Sequence, residues 1–287
     1  MKGRIIKGVG GLYTVANDEG ELFEGRARGI FRKEGKKPCI GDFAEITPLG
    51  DGECVVEKLL PRENSLIRPA VCNVDSALIV CAPREPKLNL DLLNGFLITA
   101  ESRSIKDIKI VMNKADLDSG EGEETLKRIF GGVYELHFVS CEKGTGLEEL
   151  KSSLKGKVSV FAGPSGVGKS SLINNICENS VMETGTLSRK ISRGRHTTRH
   201  VELLKIDDNT YIADSPGFAS IDLSLLNPDD LTDYFKEFKP HLEGCRFRNC
   251  RHINEPDCKL KEQVGKAVSK ERYDFFKRIY TELKGNK

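Results

Sequence analysis

No window of the chain approaches the roughly 18 consecutive apolar residues that a membrane span requires. The opening Met1-Lys2-Gly3-Arg4 leads into charged, glycine-rich sequence with no apolar signal core. These two absences argue against a membrane-embedded or exported protein, and the expectation is a cytoplasmic chain. Internal repeats and low-complexity tracts are also missing, and composition excludes a disordered, collagen-like or coiled-coil-only chain. Nor is there an even cysteine count: nine cysteines without an export signal point to reduced thiols or metal ligands, not a disulfide framework. Net charge is nearly absent, at +2.

What is present is a 287-residue chain, 38% hydrophobic and 31% charged, long enough for two or three domains with a buried core. The small net charge conceals an uneven layout. Residues 1–67 carry 11 basic and 11 acidic side chains, whereas residues 240–287 carry 12 and 7, a net of +5. A basic tail on a near-neutral chain implies either a polyanionic partner or a solvated helix face.

Five short strand-like stretches, Arg4–Val9, Leu12–Ala16, Leu22–Arg28, Asp42–Pro48 and Glu53–Leu60, are separated by turn signals such as Gly10-Gly11 and Asp51-Gly52. Such spacing predicts a small β-barrel over residues 1–67. Its longest turn, Arg26–Lys37, holds six basic residues, one acid and Phe31. It reads either as a nucleic-acid-binding loop or as an ordinary solvated turn. Beyond Pro69, apolar runs at Val74–Ala82, Ile108–Met112, Tyr134–Val139 and Val158–Ala162 alternate with helical spacing at Leu88–Ser102 and Glu123–Ile129. That alternation predicts a parallel sheet covered on both faces, over residues 68–224. Residues 225–287 form a third unit, with helical stretches Asp229–Phe238 and Leu260–Leu283 flanking a cysteine cluster.

Gly163-Pro164-Ser165-Gly166-Val167-Gly168-Lys169-Ser170 follows the strand Val158–Ala162 and precedes a helical stretch, which is the context a phosphate-binding loop requires. Glycines let consecutive N–H groups face the phosphates; Lys169 reaches the β- and γ-phosphates, and the Ser170 hydroxyl ligates Mg²⁺. Downstream, Asp214 leaves the strand Thr210–Ala213 where it can hold the Mg²⁺ shell, and Gly217 can offer its N–H to a γ-phosphate. Between them, Leu187–Val201 reads as a loop whose Thr197 or Thr198 could close on Mg²⁺.

The pattern Asn113-Lys114-Ala115-Asp116 after the strand Ile108–Met112 suits a guanine base, the alternative being a helix N-cap preceded by a solvated Asn-Lys. The Asp116 carboxylate can accept from guanine N1–H and the 2-amino group, donors that adenine lacks, so it selects GTP over ATP. Ser140-Cys141-Glu142 is placed to line the base through its backbone. These parts come in an unusual order, with the base-reading motifs ahead of the phosphate loop. A site assembled at strand ends tolerates that, because only spatial order matters. It also puts the Asp214–Gly217 switch next to residues 225–287. Phe218 stands where a water-orienting glutamine is common and cannot accept a hydrogen bond. His196 is then the candidate to orient the water, with His200 the weaker one; a solvated histidine or a partner-contacting one is the alternative.

Cys245, Cys250, His252 and Cys258 have the spacing C-x₄-C-x-H-x₅-C, which suits one tetrahedral, structural Zn²⁺. The residues between them, Arg246, Arg248, Asn249 and Arg251, are too polar for a core.

Taken together, these features resemble the ribosome-small-subunit-dependent GTPases, a circularly permuted family involved in late assembly of the small ribosomal subunit. The resemblance spans essentially the whole chain and rests on Asn113–Asp116, Gly163–Ser171, Gly194–Thr198, Asp214–Gly217, the Cys₃His set and Arg272-Tyr273. It implies an N-terminal OB-fold barrel, then a permuted α/β P-loop GTPase domain, then a small, mainly α-helical zinc-binding domain. It further implies Ser171 in the nucleotide site, Thr198 as the Mg²⁺-shell switch threonine, His196 as the catalytic histidine, and Phe218 as the hydrophobic replacement for glutamine. The partners implied are guanine nucleotide and the small subunit with its rRNA, for a protein that is monomeric when free and touches no membrane. Departures are Ser215, where threonine is commoner, and Cys141-Glu142, where alanine and lysine are. Two other functions stay open on the residues alone: an RNA-binding module with a GTP sensor of negligible turnover, and a GTPase switch acting on a protein partner.

Overall fold

A computed structural model describes residues 1–29, 31, 37–67, 69–184, 201–214 and 221–285. The first five strands are β1 (Lys2–Val9), β2 (Leu12–Asn17), β3 (Leu22–Ala27), β4 (Phe43–Gly50) and β5 (Glu53–Leu59). They close into a barrel in the order β1-β2-β3-β5-β4, with β3 and β5 parallel and the other pairs antiparallel. Alternation sends Ile5, Val15, Ala44, Ile46 and Val56 inward. Where the parallel seam closes, a Cβ on Gly25 would run into the Cys54 carbonyl, so only glycine permits that approach.

The second unit is a six-stranded sheet of β6 (Ser76–Cys81), β7 (Asp107–Met112), β8 (Glu135–Phe138), β9 (Val158–Ala162), β10 (Leu203–Asp207) and β11 (Thr210–Ala213). Its order is β10-β11-β9-β6-β7-β8, parallel except for the edge strand β10. Every residue of β6 and β9 is buried, which explains their unbroken apolar runs. Helices α1 (Leu90–Ser102) and α2 (Glu121–Phe130) cover one face, packing Phe96, Leu97, Leu126 and Phe130 on Ile79, Ile110 and Val160. Helices α3 (Leu147–Ser153) and α4 (Lys169–Thr184) cover the other, packing Leu150, Leu172 and Ile176 on Leu78, Val111 and Phe161. The strand β9, which carries the phosphate loop, is central in the sheet although β6, β7 and β8 precede it in the chain, and β7 and β8 lead into the 113–116 and 140–142 segments.

The third unit departs from the sequence expectation in its details. Residues 229–238 are two 3₁₀ segments, Pro228–Tyr234 and Lys236–His241, and not one helix. Phe235 between them is extended (φ −115°, ψ 94°), and Pro240 removes a donor. Residues 260–283 are likewise divided, into α5 (Lys259–Glu262) and α6 (Lys270–Gly285), by a turn with Gly265 at φ 80°. The aromatic rings hold this unit: Phe235 and Phe238 stack at 4.6 Å, and Phe276 meets both edge-on. Arg272, 1% exposed, lies among them, donating to Glu237 and to Asn94 Oδ1 (2.9 Å) of α1, so the third unit is fastened to the second by a fully buried cation.

Candidate nucleotide site and metal centre

The phosphate loop leaves the buried end of β9 with three residues in left-handed backbone: Gly163 (φ 140°), Gly166 (φ 84°) and Gly168 (φ 91°). Glycine at the last is required twice over, because a Cβ there would also strike Asn113 Nδ2. Asn113 is itself 2% exposed. Its Nδ2 donates to the Val167 carbonyl (2.9 Å), and its Oδ1 accepts from Cys141 N–H (3.4 Å). One asparagine thus ties together the phosphate loop, the base motif and the 140–142 loop, segments separated by up to 54 residues. The sequence brought all three to one end of a sheet; the structure joins them through a single side chain.

Lys114 is in the left-handed region (φ 60°), and its Nζ donates to the Glu85 carbonyl. Asp116 begins exposed at the mouth of a cleft of about 500 Å³ that is lined by Asn113, Lys114, Asp116, Ser140, Cys141, Gly168 and Ser171. Ser140 accepts from Lys143 N–H and pairs its backbone with Thr145, which fixes the far wall. Lys169, first residue of α4, turns its ammonium onto the carbonyls of Gly163 (2.8 Å) and Pro164 (2.7 Å), and burial lowers its pKa. Ser165 on the loop and Ser170 in the first turn of α4 are exposed, and Val167 is buried. At the end of β11, partial burial and then the neighbouring Glu202 push the Asp214 carboxyl up. The Asp214 carboxylate and the Ser170 hydroxyl are hard oxygen donors of the kind Mg²⁺ takes, and a cation at Asp214 would relieve that charge.

His196, Thr197, Thr198, His200, Gly217 and Phe218 lie outside the described residues. Three cleft residues escaped the sequence reading: Glu85, Leu117 and Asn175. Asn175 sits on α4 a little more than one turn beyond Ser171, and that i, i+4 spacing was the signal available.

In the third unit, the ligand atoms of Cys245, Cys250, His252 and Cys258 all lie within 4.8 Å of one another. His252 Nδ1 is 3.3 Å from Cys258 Sγ and 3.7 Å from Cys245 Sγ. Ligands of a tetrahedral zinc with bonds of about 2.1–2.3 Å sit roughly 3.5–3.8 Å apart, so this donor set fits Zn²⁺ and leaves no open position. Outer contacts brace it: Lys259 N–H donates to Cys245 Sγ (3.3 Å), and Tyr273 Oη donates to the His252 carbonyl (2.8 Å). Glu255 accepts from the N–H groups of Arg251, Ile253 and Asn254, which hold its carboxyl below the usual range.

The RsgA GTPase family profile matches residues 59–224, and the RsgA N-terminal domain profile matches residues 2–56. The chain belongs to the RsgA GTPase family. It is 42% identical over 285 residues to the small ribosomal subunit biogenesis GTPase RsgA of Clostridium novyi, covering 99% of this chain and 97% of that one. The protein of the same name from Caldanaerobacter subterraneus is 43% identical, with 99% and 96% covered. Among solved structures, YjeQ from Thermotoga maritima superposes with a TM-score of 0.87 at 35% identity, with 100% and 99% covered. YloQ, described as a circularly permuted GTPase, gives 0.85 at 32% identity, with 100% and 96% covered. The expected permuted fold between a barrel and a helical cysteine-bearing segment is therefore correct, as is GTP hydrolysis dependent on Mg²⁺. Among the described residues, no helix is long and apolar enough to cross a membrane.

Proposed function

We propose that this chain is a cytoplasmic GTP hydrolase, monomeric when free, that acts in late maturation of the small ribosomal subunit and is stimulated by that particle through contacts with its rRNA. The name shared by its relatives supports the partner. The observation that carries the chemistry is the meeting of Asn113–Asp116 with the phosphate loop on one cleft. We divide the chain at 67/68 and 224/225 into RNA-gripping barrel, GTPase and zinc-binding units.

In this reading Asp116 accepts from the guanine edge, and Ser140 and Cys141 line the base. Backbone N–H groups from Gly163 to Ser171 cradle the phosphates, with Lys169 exchanging its loop carbonyls for phosphate oxygens. Ser170, Thr198 and Asp214 would hold Mg²⁺, which neutralises charge gathering on the β- and γ-oxygens. Gly217 N–H senses the γ-phosphate, and His196 orients the attacking water because Phe218 cannot. Four soft ligands, Cys245, Cys250, His252 and Cys258, hold one structural zinc.

The test is GTP turnover with purified small subunits, large subunits or naked rRNA. Acceleration by small subunits alone, lost in His196→Ala with nucleotide affinity intact, is the expected result. No acceleration by any of the three would leave an RNA-binding module with a nucleotide sensor, and salt-insensitive binding to the particle would favour a protein partner.

A further inference from the structure

All but one of the phenylalanines of the zinc-bearing unit are enclosed: Phe235, Phe238 and Phe276 are 0% exposed and Phe275 is 4% exposed. Phe247 is the exception, at 44% exposed. It lies midway between two zinc ligands, Cys245 and Cys250, in a turn closed by Cys250 N–H donating to the Phe247 carbonyl (3.2 Å). Metal at those two thiols would hold the turn at both ends, so the ring projects from a braced backbone.

Its neighbours are cationic. The Arg246 guanidinium lies 5.6 Å from the ring centroid and is held there by Asp257 (3.1 Å). Arg248 on the other side is exposed and has no ion pair among the described residues. Arg251, just past the turn, pairs with Asp229. A large apolar ring kept out of a core that encloses its fellows, and framed by guanidinium groups, matches what a single-stranded nucleic acid presents: a flat apolar face joined to an anion. An acidic peptide would answer the arginines but not the ring.

We propose that Phe247 is a stacking platform for an unpaired RNA base, with Arg246 fixing the ring and Arg248 meeting the adjoining phosphate. This rests on the ribosomal reading above and deepens it, since stacking selects splayed-out bases where phosphate attraction alone accepts any RNA.

The chain contains no tryptophan. Phe247→Trp in the full-length, zinc-loaded protein therefore installs a single fluorophore on the platform itself. Titration with a single-stranded oligoadenylate should quench it saturably, whereas an RNA duplex or inorganic polyphosphate at equal charge should not. Phe247→Ala should lose about tenfold or more in oligoadenylate affinity, with the salt dependence of binding unchanged. Arg248→Ala should instead reduce the slope of log affinity against log salt by about 0.7, the signature of one lost phosphate contact on a single strand. Wild-type affinity in Phe247→Ala, equal quenching by duplex and polyphosphate, or quenching by an acidic peptide alone would each overturn the proposal. GTP turnover with small subunits, run on the same preparations, separates this failure from failure of the underlying reading. Stimulated turnover in wild type with an inert Phe247 sinks only the stacking platform.

Discussion

The nucleotide cleft and the zinc-bearing segment solve the same problem, holding an irregular loop in one shape, by opposite means. Beneath the cleft lie β6 and β9, buried along their whole length, and the loops above them are set by backbone conformation and by one buried asparagine. The zinc segment has no sheet under it, and its regular structure is two 3₁₀ segments and two helices. It substitutes a four-ligand metal centre, a stack of phenylalanines and a buried Arg272–Glu237 pair. A large core beneath a sheet leaves its rim free to exchange ligands, while a short segment beside a smaller aromatic core gains shape from a permanent cross-link.

The widest separation between the two regions should come from removing zinc. A structural zinc contributes on the order of 10 kcal/mol to a small fold that depends on it. Chelation, or Cys258→Ala, should therefore abolish amide protection across residues 245–262 while GTP affinity measured by calorimetry stays near wild type. Loss of GTP binding in parallel would show that the two regions are one cooperative unit. Next in size is Arg272→Met, which leaves Glu237 buried without its partner, a loss that typically costs about 3–5 kcal/mol. Urea unfolding should register it. The double variant Arg272→Met, Glu237→Leu should recover much of the loss, because no uncompensated charge remains.

Two changes in the cleft sharpen the contrast from its side. Gly168→Ala forces a side chain into left-handed backbone and against Asn113, so it should cost about 1–3 kcal/mol of stability and weaken GTP binding together. Asp116→Ala alters an exposed carboxylate. It should leave the melting temperature unchanged, cut GTP affinity about tenfold or more, and erase the preference over ATP, which comparative calorimetry would reveal.

How far these features could be read from residues alone depended on whether backbone or packing decided them. The phosphate loop was legible because its glycines serve φ angles that other residues adopt poorly, and the strand and helix flanking it had unambiguous periods. The Cys₃His set was legible because metal chemistry prescribes residue type and short spacing. Asn113 was assigned to the base, yet its tie to Val167 across 54 residues could not be read, since no local pattern encodes a contact of that range. Arg272 likewise looked like part of a basic tail. Only the fold places it under three aromatic rings, within reach of Asn94, 178 residues earlier in the chain. The division of the two C-terminal helical stretches was missed for a milder reason: periodicity continued through Phe235 and Gly265, and tertiary packing overrode it.

The smallest effect is expected at the seam between barrel and sheet, where Lys7 on β1 and Glu202 before β10 form an ion pair of 2.9 Å. Both side chains are well exposed, 42% and 39%, so solvent screens the attraction and ordering two long side chains offsets most of what remains. The apolar core beside the pair is continuous across the seam, running from Ile5 and Val71 through Val74 and Ala77 into the sheet. Ile40 and Val71 add a parallel backbone bridge. Lys7→Ala should therefore shift unfolding by no more than about 0.5 kcal/mol, and that shift should shrink further in concentrated salt. A larger, salt-sensitive loss in chemical denaturation would mean that charge, and not shared apolar burial, joins the barrel to the GTPase sheet.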